Sequence, residues 1–382
     1  MTHLPDPPNP GFFQEFFPWQ VPADNQSSWD RGYVFDPQRY QGGFPAVVGE
    51  NDARLPEWAV GPFTKSEHNP VLAPGPQTWD AGHFGGGVHN GSVIRKDGIF
   101  YYVYRGERAI PPINGIDYLC KIGIAASPDG VHFEKILDHN PLFGADDLIS
   151  YEDVNLLEHE GTYYLFCNRW DWEHPSDPSI SGCWLATSTD LLHWQPRGLL
   201  FPDAARIHRN GVVVQDPNNH PVRINGQFVM YINDFLIAYS PDLLHWQSRE
   251  VQAGRAERQT WPGGEGCFAL ANYLPDDPNA ILLFTGGHHS GHFYAVGEVL
   301  LSKADPERPL AWLPRPILSA DPRIPYESGY SASDPQRRIS HYRDCIFFNG
   351  LTLHAGRWWL YYGGSEFYTC LAAAPHPGPA PD

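Results

Sequence analysis

Positive charge is scarce in this 382-residue chain: 26 Lys and Arg stand against 44 Asp and Glu, a net charge of −18 with His neutral. Nucleic-acid binding needs a basic face for phosphates, so this balance argues against it, and it argues equally against an anionic membrane surface. There is no apolar run of the roughly 18 residues that a spanning helix needs. The start, Met1-Thr-His-Leu-Pro-Asp-Pro-Pro8, has neither a basic n-region nor an apolar h-region, so a cytoplasmic protein is expected. The six cysteines form no Cys-x-x-Cys pair, and several stand inside apolar stretches; buried free thiols are the expectation. Also missing are His-Glu-x-x-His, Gly-x-Ser-x-Gly and the dinucleotide fingerprint. Phe84-Gly-Gly-Gly-Val88 is no phosphate loop, because no Lys-Ser/Thr follows it.

What the chain does have is one phrase written five times. Asp97-Gly-Ile-Phe-Tyr-Tyr-Val-Tyr-Arg105 is followed by Glu160-Gly-Thr-Tyr-Tyr-Leu-Phe-Cys-Asn168, Asn225-Gly-Gln-Phe-Val-Met-Tyr-Ile-Asn233, Pro278-Asn-Ala-Ile-Leu-Leu-Phe-Thr-Gly286 and Ala355-Gly-Arg-Trp-Trp-Leu-Tyr-Tyr-Gly363. Each copy is a turn signal followed by a short aromatic and β-branched run, which reads as a buried strand. Shorter strand patterns flank every copy. In the first three repeats, Asp129-Gly-Val-His-Phe133, Asp190-Leu-Leu-His-Trp194 and Asp242-Leu-Leu-His-Trp246 mark a further strand. Recurrence at roughly 50 to 80 residues points to propeller blades. The expected fold is therefore all-β: a five-bladed β-propeller over residues 69–374, with residues 1–68 as a wrapping or capping segment and 375–382 as a frayed tail.

In a propeller the first strand of each blade lines a central channel. The heads of these strands are His89/Asn90, Glu152/Asp153, Asp216, Glu265 and Asp344. Carboxylates gathered on otherwise apolar strands are costly to bury, and crowding shifts their pKa values apart, which is what separates an acid from a base. Two carboxylates across a sugar are standard equipment for glycosidic bond cleavage. Arg105, Arg169 and Arg209 lie near the same level, as substrate clamps or as partners of the carboxylates. His288, His289 and His292 match no metal signature, and neither metal nor cofactor is expected.

The same stretches resemble glycoside hydrolase family 130, the β-mannoside phosphorylases and β-mannosidases. The similarity runs through Asn69-Pro-Val-Leu72, Val88-His-Asn-Gly-Ser-Val93, Ile122-Gly-Ile-Ala-Ala-Ser-Pro-Asp-Gly130, Gly297-Glu-Val-Leu-Leu-Ser-Lys-Ala-Asp-Pro306 and Asp344-Cys-Ile-Phe-Phe-Asn-Gly350. Family 43 and family 32 glycosidases share the architecture and stay as alternatives. The resemblance implies that Asp153, in Glu152-Asp-Val-Asn155, is the proton donor, that Arg105 is the first-blade arginine, and that Arg209-Asn210 echoes a Lys-Asn pair contacting substrate or phosphate. Two departures reduce positive charge. The family's Glu-Asp-Pro-Arg has Asn155 in place of Arg, and its third-blade His-Arg-Pro has become Ile232-Asn-Asp234.

Phosphorolysis requires a cationic clamp for a dianion. The leading expectation is thus an inverting glycosidase in which Asp153, or alternatively Glu152, is the acid and Glu265 activates water. Asn90, Arg105, Asn155, Arg209, Asn210, Asp216, Asp234, His288 and Asp344 are the expected substrate-binding residues. The alternatives are a phosphorylase, with inorganic phosphate as co-substrate held by Arg105, Arg209 and His288, a carbohydrate-binding propeller, and a scaffold for protein partners. The expected partner is an oligosaccharide or glycoside, with a homo-oligomer also open.

Overall fold

The computed structural model describes residues 55–376, apart from 145–146, 234–235, 251–264, 275–276, 287–293, 314–315, 322, 341 and 343. Among these residues there is no α-helix, only strands and short 3-10 turns, and no helix is long and apolar enough to cross a membrane.

The strands in chain order begin with β1 (Thr64–Lys65). There follow β2 (Val88–Lys96), β3 (Ile99–Ile113), β4 (Ile116–Ser127) and β5 (Glu134–Lys135), and then β6 (Ile149–His159), β7 (Thr162–Asp171), β8 (Gly182–Ser188) and β9 (Gln195–Leu199). Next come β10 (Val212–Gln215), β11 (Arg223–Ile224), β12 (Gln227–Ile232), β13 (Leu236–Ser240) and β14 (Gln247–Glu250). The last are β15 (Glu265–Ala271), β16 (Ala280–Gly286), β17 (Gly297–Ser302), β18 (Pro309–Trp312), β19 (Ile346–His354), β20 (Arg357–Gly364) and β21 (Tyr368–Pro375).

Three four-stranded sheets have the orders β2-β3-β4-β5, β6-β7-β8-β9 and β1-β21-β20-β19. The remaining strands make a nine-stranded sheet, in which β10-β12-β13-β14 and β15-β16-β17-β18 are joined by the parallel pair β10–β15. The strands thus group, in chain order, into the units β2 to β5, β6 to β9, β10 to β14, β15 to β18, and β19 to β21 with β1.

The repeated aromatic phrase is the second strand of each unit, and both of its faces are covered. Side chains alternate between the faces of a strand. In β3, Phe100, Tyr102 and Tyr104 pack with Tyr361 and Leu371 of the fifth unit, whereas Val103 packs with Val154, Leu156 and Leu165 of the second. In β7, Phe166 turns to Val213, Phe228 and Met230 of the third unit. In β12, Val229 and Tyr231 meet Ile281 and Leu283 of the fourth, and in β16, Leu282 and Phe284 meet Phe348, Trp358 and Leu360 of the fifth. Consecutive units therefore pack on one another, and side chains of the fifth also pack with the first. The first strands likewise neighbour one another in the order β2, β6, β10, β15, β19 and back to β2.

The expected boundary at residue 69 falls too late. Thr64 and Lys65 pair with Ala373 and Ala372 as the outer strand of the fifth unit, and Val60 and Phe63 lie in the core. Two residues of strand carry no periodic pattern, so only the fold reveals them. Residues 1–54 and 377–382 lie outside the described residues. All six cysteines are buried and none forms a disulfide, as expected.

The Asp-x-x-His segments are turns that lead into the outer strands. Asp190 Oδ1 accepts from the backbone N–H groups of Leu192 and His193, each about 2.9 Å or closer, and its Oδ2 meets His193 Nδ1 at 2.7 Å. Asp242 repeats the pattern with Leu244 and His245. Slight burial works against the Asp242 anion, but the His245 ring and these amides bring its pKa down to about 2. A carboxylate depressed on folding contributes stability that is present above its ordinary pKa, about 4, and lost as pH falls toward the folded value. Asp242→Asn is expected to lower the melting temperature at neutral pH and to flatten its fall between about pH 4 and about pH 2. Parallel melting curves for parent and variant across that range would show that this carboxylate supplies nothing.

Candidate active site

Four of the units begin with a non-glycine residue in the left-handed region: Asn90 (φ 46°), Asp153 (φ 55°), Asn210 (φ 52°) and Asp344 (φ 54°). Asn and Asp tolerate this conformation better than other side chains. In the first two units it coincides with a bulge, since the register shifts between His89 and Ser92 and between Glu152 and Asn155. A bulge re-aims the side chain it carries. Here it turns the strand heads toward one another.

Two of these heads join at Asp153, Asn90 directly and Asn210 through Asn168. Asn90 Nδ2 donates to its Oδ1 at 3.0 Å and Asn168 Nδ2 to its Oδ2 at 3.0 Å. Asn168 also donates to Asn210 Oδ1 and accepts at 2.8 Å from the Asn210 backbone N–H. Arg105 completes the group, with Nη1 at 3.4 Å from Asp153 Oδ1 and Nη2 at 3.4 Å from Glu152 Oε1 and 2.5 Å from Glu107 Oε1. Three carboxylates thus share one guanidinium, and the Arg105 and Asp153 side chains are 11% and 10% exposed. Gly363 packs closely beside them: a Cβ there would lie 3.0 Å from His89 Cβ and 3.2 Å from Asn90 Oδ1.

Glu152 faces the other way. Its Oε2 accepts from Trp170 Nε1 at 3.0 Å and its Oε1 from Cys120 Sγ at 3.3 Å. Burial raises its pKa; Arg105 pulls it down, while the charges of Asp153 and Glu107 push it up again. Trp170 stacks on Trp172, with ring centroids 5.7 Å apart.

Of the expected site residues, Asn90, Arg105, Glu152, Asp153 and Asn210 come together here. Asp344 holds its place at a strand head and accepts from Ser328 Oγ at 3.0 Å. Glu265 opens β15, opposite Gly286. Arg209 directly precedes Asn210, and its carbonyl accepts from the Asn233 N–H at 3.1 Å. Asp234 and His288 lie outside the described residues.

Asp216 and Asn155 do not join this group. Asp216 follows the end of β10, six residues beyond Asn210 and so roughly 20 Å away along an extended chain. It closes the turn to His220, accepting from the Asn218 and His220 N–H groups at 2.8 and 3.0 Å. Asn155 is buried, and its Oδ1 accepts from the Val213 N–H at 3.3 Å, which ties β6 to β10. Arg169 also points elsewhere, donating to the Ile180 carbonyl.

Asn168, Glu107 and Trp170 were not singled out by sequence reasoning. The signal for Asn168 was present: it holds the place in its copy of the aromatic phrase that Arg105 holds in the first copy, and β7 pairs it with Glu152 as β3 pairs Arg105 with His89.

No protein-family model matches the chain. A 1,2-β-oligomannan phosphorylase from Thermoanaerobacter sp. (strain X514) is 26% identical over 322 residues, covering 78% of this chain and 92% of that protein. Among solved structures, a GH130 protein, from the family of mannoside phosphorylases that contains glycoside hydrolases targeting β-1,2 mannosidic linkages in Candida mannan, has a TM-score of 0.66 at 22% identity and covers 86% of this chain and 98% of its own. The β-1,2-mannobiose phosphorylase of Listeria innocua, solved with β-1,2-mannobiose, has a TM-score of 0.60 at 17% identity and covers 82% of this chain and 96% of its own. The resemblance read from the sequence is borne out.

Asn168→Ala would remove the donor to Asp153 and both links to Asn210. Leaving such buried polar groups unpaired costs about 1–3 kcal/mol, and urea unfolding is expected to show a loss of that order. An unchanged midpoint would mean that the network is not held together by this amide.

Proposed function

We propose that this chain, similar along most of its length to glycoside hydrolase family 130, is a five-bladed β-propeller enzyme that hydrolyses β-mannosidic bonds with inversion. The observation that carries the reading is the convergence of strand heads on Asp153. Asp153 faces the other heads, whereas Glu152 is turned into the seam with β4, so Asp153 is the acid that protonates the departing glycosidic oxygen. Both Asp153 oxygens accept amide donors in the ionised state. Turning the Asn90 amide over would offer its Oδ1, which has no hydrogen-bond partner, to the protonated form.

Glu265, at the head of β15, is the proposed base. It would activate water on the opposite face of the sugar, which requires a separation of about 6.5–9.5 Å between the two carboxyl groups. Asn90, Asn210 and Asp344 are the proposed ligands of sugar hydroxyls. An oligosaccharide fits these donors and acceptors, and no cofactor is required.

Phosphorolysis is the second reading, favoured by the activity that the oligomannan phosphorylase's name states. Charge weighs against it here. Among the described residues, the cation bonded to Asp153 is Arg105, and it is already shared by three carboxylates. A phosphate dianion would enter a site whose positive charge is spent on its own acids.

Incubation with β-1,2-mannobiose should release mannose without phosphate, and proton NMR should show α-mannose as the first product. Phosphate-dependent formation of mannose 1-phosphate would overturn hydrolysis in favour of phosphorolysis. Asp153→Asn is expected to lower kcat by about 10²–10⁴-fold while leaving the melting curve in place; near-parental turnover would remove Asp153 as the acid.

A further inference from the structure

The charges around Arg105 continue beyond the residues used so far. Glu107 lies two residues on along β3 and is buried. Its Oε1 is 2.5 Å from Arg105 Nη2 and 3.0 Å from His89 Nε2, and its Oε2 takes the His83 ring. His89 is fully enclosed, and its other nitrogen lies 3.2 Å from Glu366 Oε2. The backbone is shaped around this group: a Cβ on Gly86 would stand 2.1 Å from Glu107 Oε2. A chain of alternating charge therefore runs from Glu366 through His89, Glu107 and Arg105 to Asp153.

We propose that Glu107 is a positioning residue for the acid: it holds the Arg105 fork in place and offsets that cation's charge beside Asp153. This rests on Asp153 being the proton donor. A guanidinium alone beside a carboxylate favours the anion, the wrong state for a general acid. Arg105 makes its shortest contact with Glu107 rather than with Asp153. Burial opposes a charge on Glu107, yet Arg105 and then His83 and His89 hold its pKa well below the usual carboxylate range.

Other titratable groups face this chain from the packed elements. Asp117, Tyr118 and Cys120 come from β4. Glu152 comes from β6, Cys167 from β7, and Tyr342 and Glu366 from the segments flanking β19 and β20. All seven, the carboxylates Asp117, Glu152 and Glu366 among them, carry raised pKa values, through burial first. That leaves Glu107 as the carboxylate held firmly ionised against Arg105.

The test is the pH dependence of kcat on β-1,2-mannobiose for the parent, Glu107→Gln, Arg105→Gln and Asp153→Asn. The alkaline limb marks loss of the acid's proton. Glu107→Gln leaves Arg105 less neutralised, so its limb should move down by about one pH unit, and Arg105→Gln should move the limb up by a similar amount. If both variants merely lower kcat with the limb unmoved, Glu107 acts as packing and the proposal is overturned. Should Glu107→Gln not fold, Arg105→Gln decides: a limb that stays or falls overturns the proposal. Near-parental turnover by Asp153→Asn would bring down the acid assignment and this inference together, whereas an unmoved limb beside an inactive Asp153→Asn would bring down the inference alone.

Discussion

Everything in this protein depends on strands that are apolar on both faces. A strand with one wet face can end a sheet stack; β3, β7, β12, β16 and β20 cannot. Tyr102 and Val103 are neighbours in sequence, both are fully enclosed, and they pack against different units. Fully burying a large apolar side chain stabilises by about 1.5–3 kcal/mol, so each unit gains by being flanked on both sides. Consecutive units satisfy one another in this way, and the last also meets the first, as Tyr361 does with Tyr102 at 5.4 Å between ring centroids. The outer pairing of β1 with β21 then ties both ends of the described chain into one sheet.

That packing brings residues far apart in sequence together. Asn90, at the head of β2, reaches Asp153 across 63 positions, and Asn168 of β7 reaches Asn210 across 42. The left-handed backbone at these heads costs some strain, of the kind that persists where surrounding structure over-determines it and that clusters at functional sites. A buried charge is tolerated only when it is paired, and Arg105 is the pairing for Glu107, Glu152 and Asp153 at once. Removing any one of these partners changes the balance for the others, which is why their chemistry has to be treated as one group.

The repeat, the strand heads and the acidic character of the site were legible in the sequence because they are written locally. A turn signal followed by an aromatic run is a strand whatever surrounds it, and Asp153 stands out as a carboxylate before an apolar stretch. What failed was counting across repeats. Asp216 was preferred as the third head because it is acidic, although Asn210-Gly211 precedes the apolar run as Asn90-Gly91 does. Asn168 was passed over for Arg169 because charge drew attention, although the repeat aligns Asn168 with Arg105. β1 was illegible for a different reason: Thr64 and Lys65 are a strand only because the edge of β21 lies beside them.

The most direct test of the central claim is a crystal structure of Asp153→Asn with intact β-1,2-mannobiose. The hydrogen-bonded heads around position 153 predict the disaccharide there, with the glycosidic oxygen about 3 Å from the side chain at position 153 and sugar hydroxyls on Asn90 and Asn210. A disaccharide bound away from these strand heads, or with its linkage turned from position 153 toward another carboxylate, would contradict it.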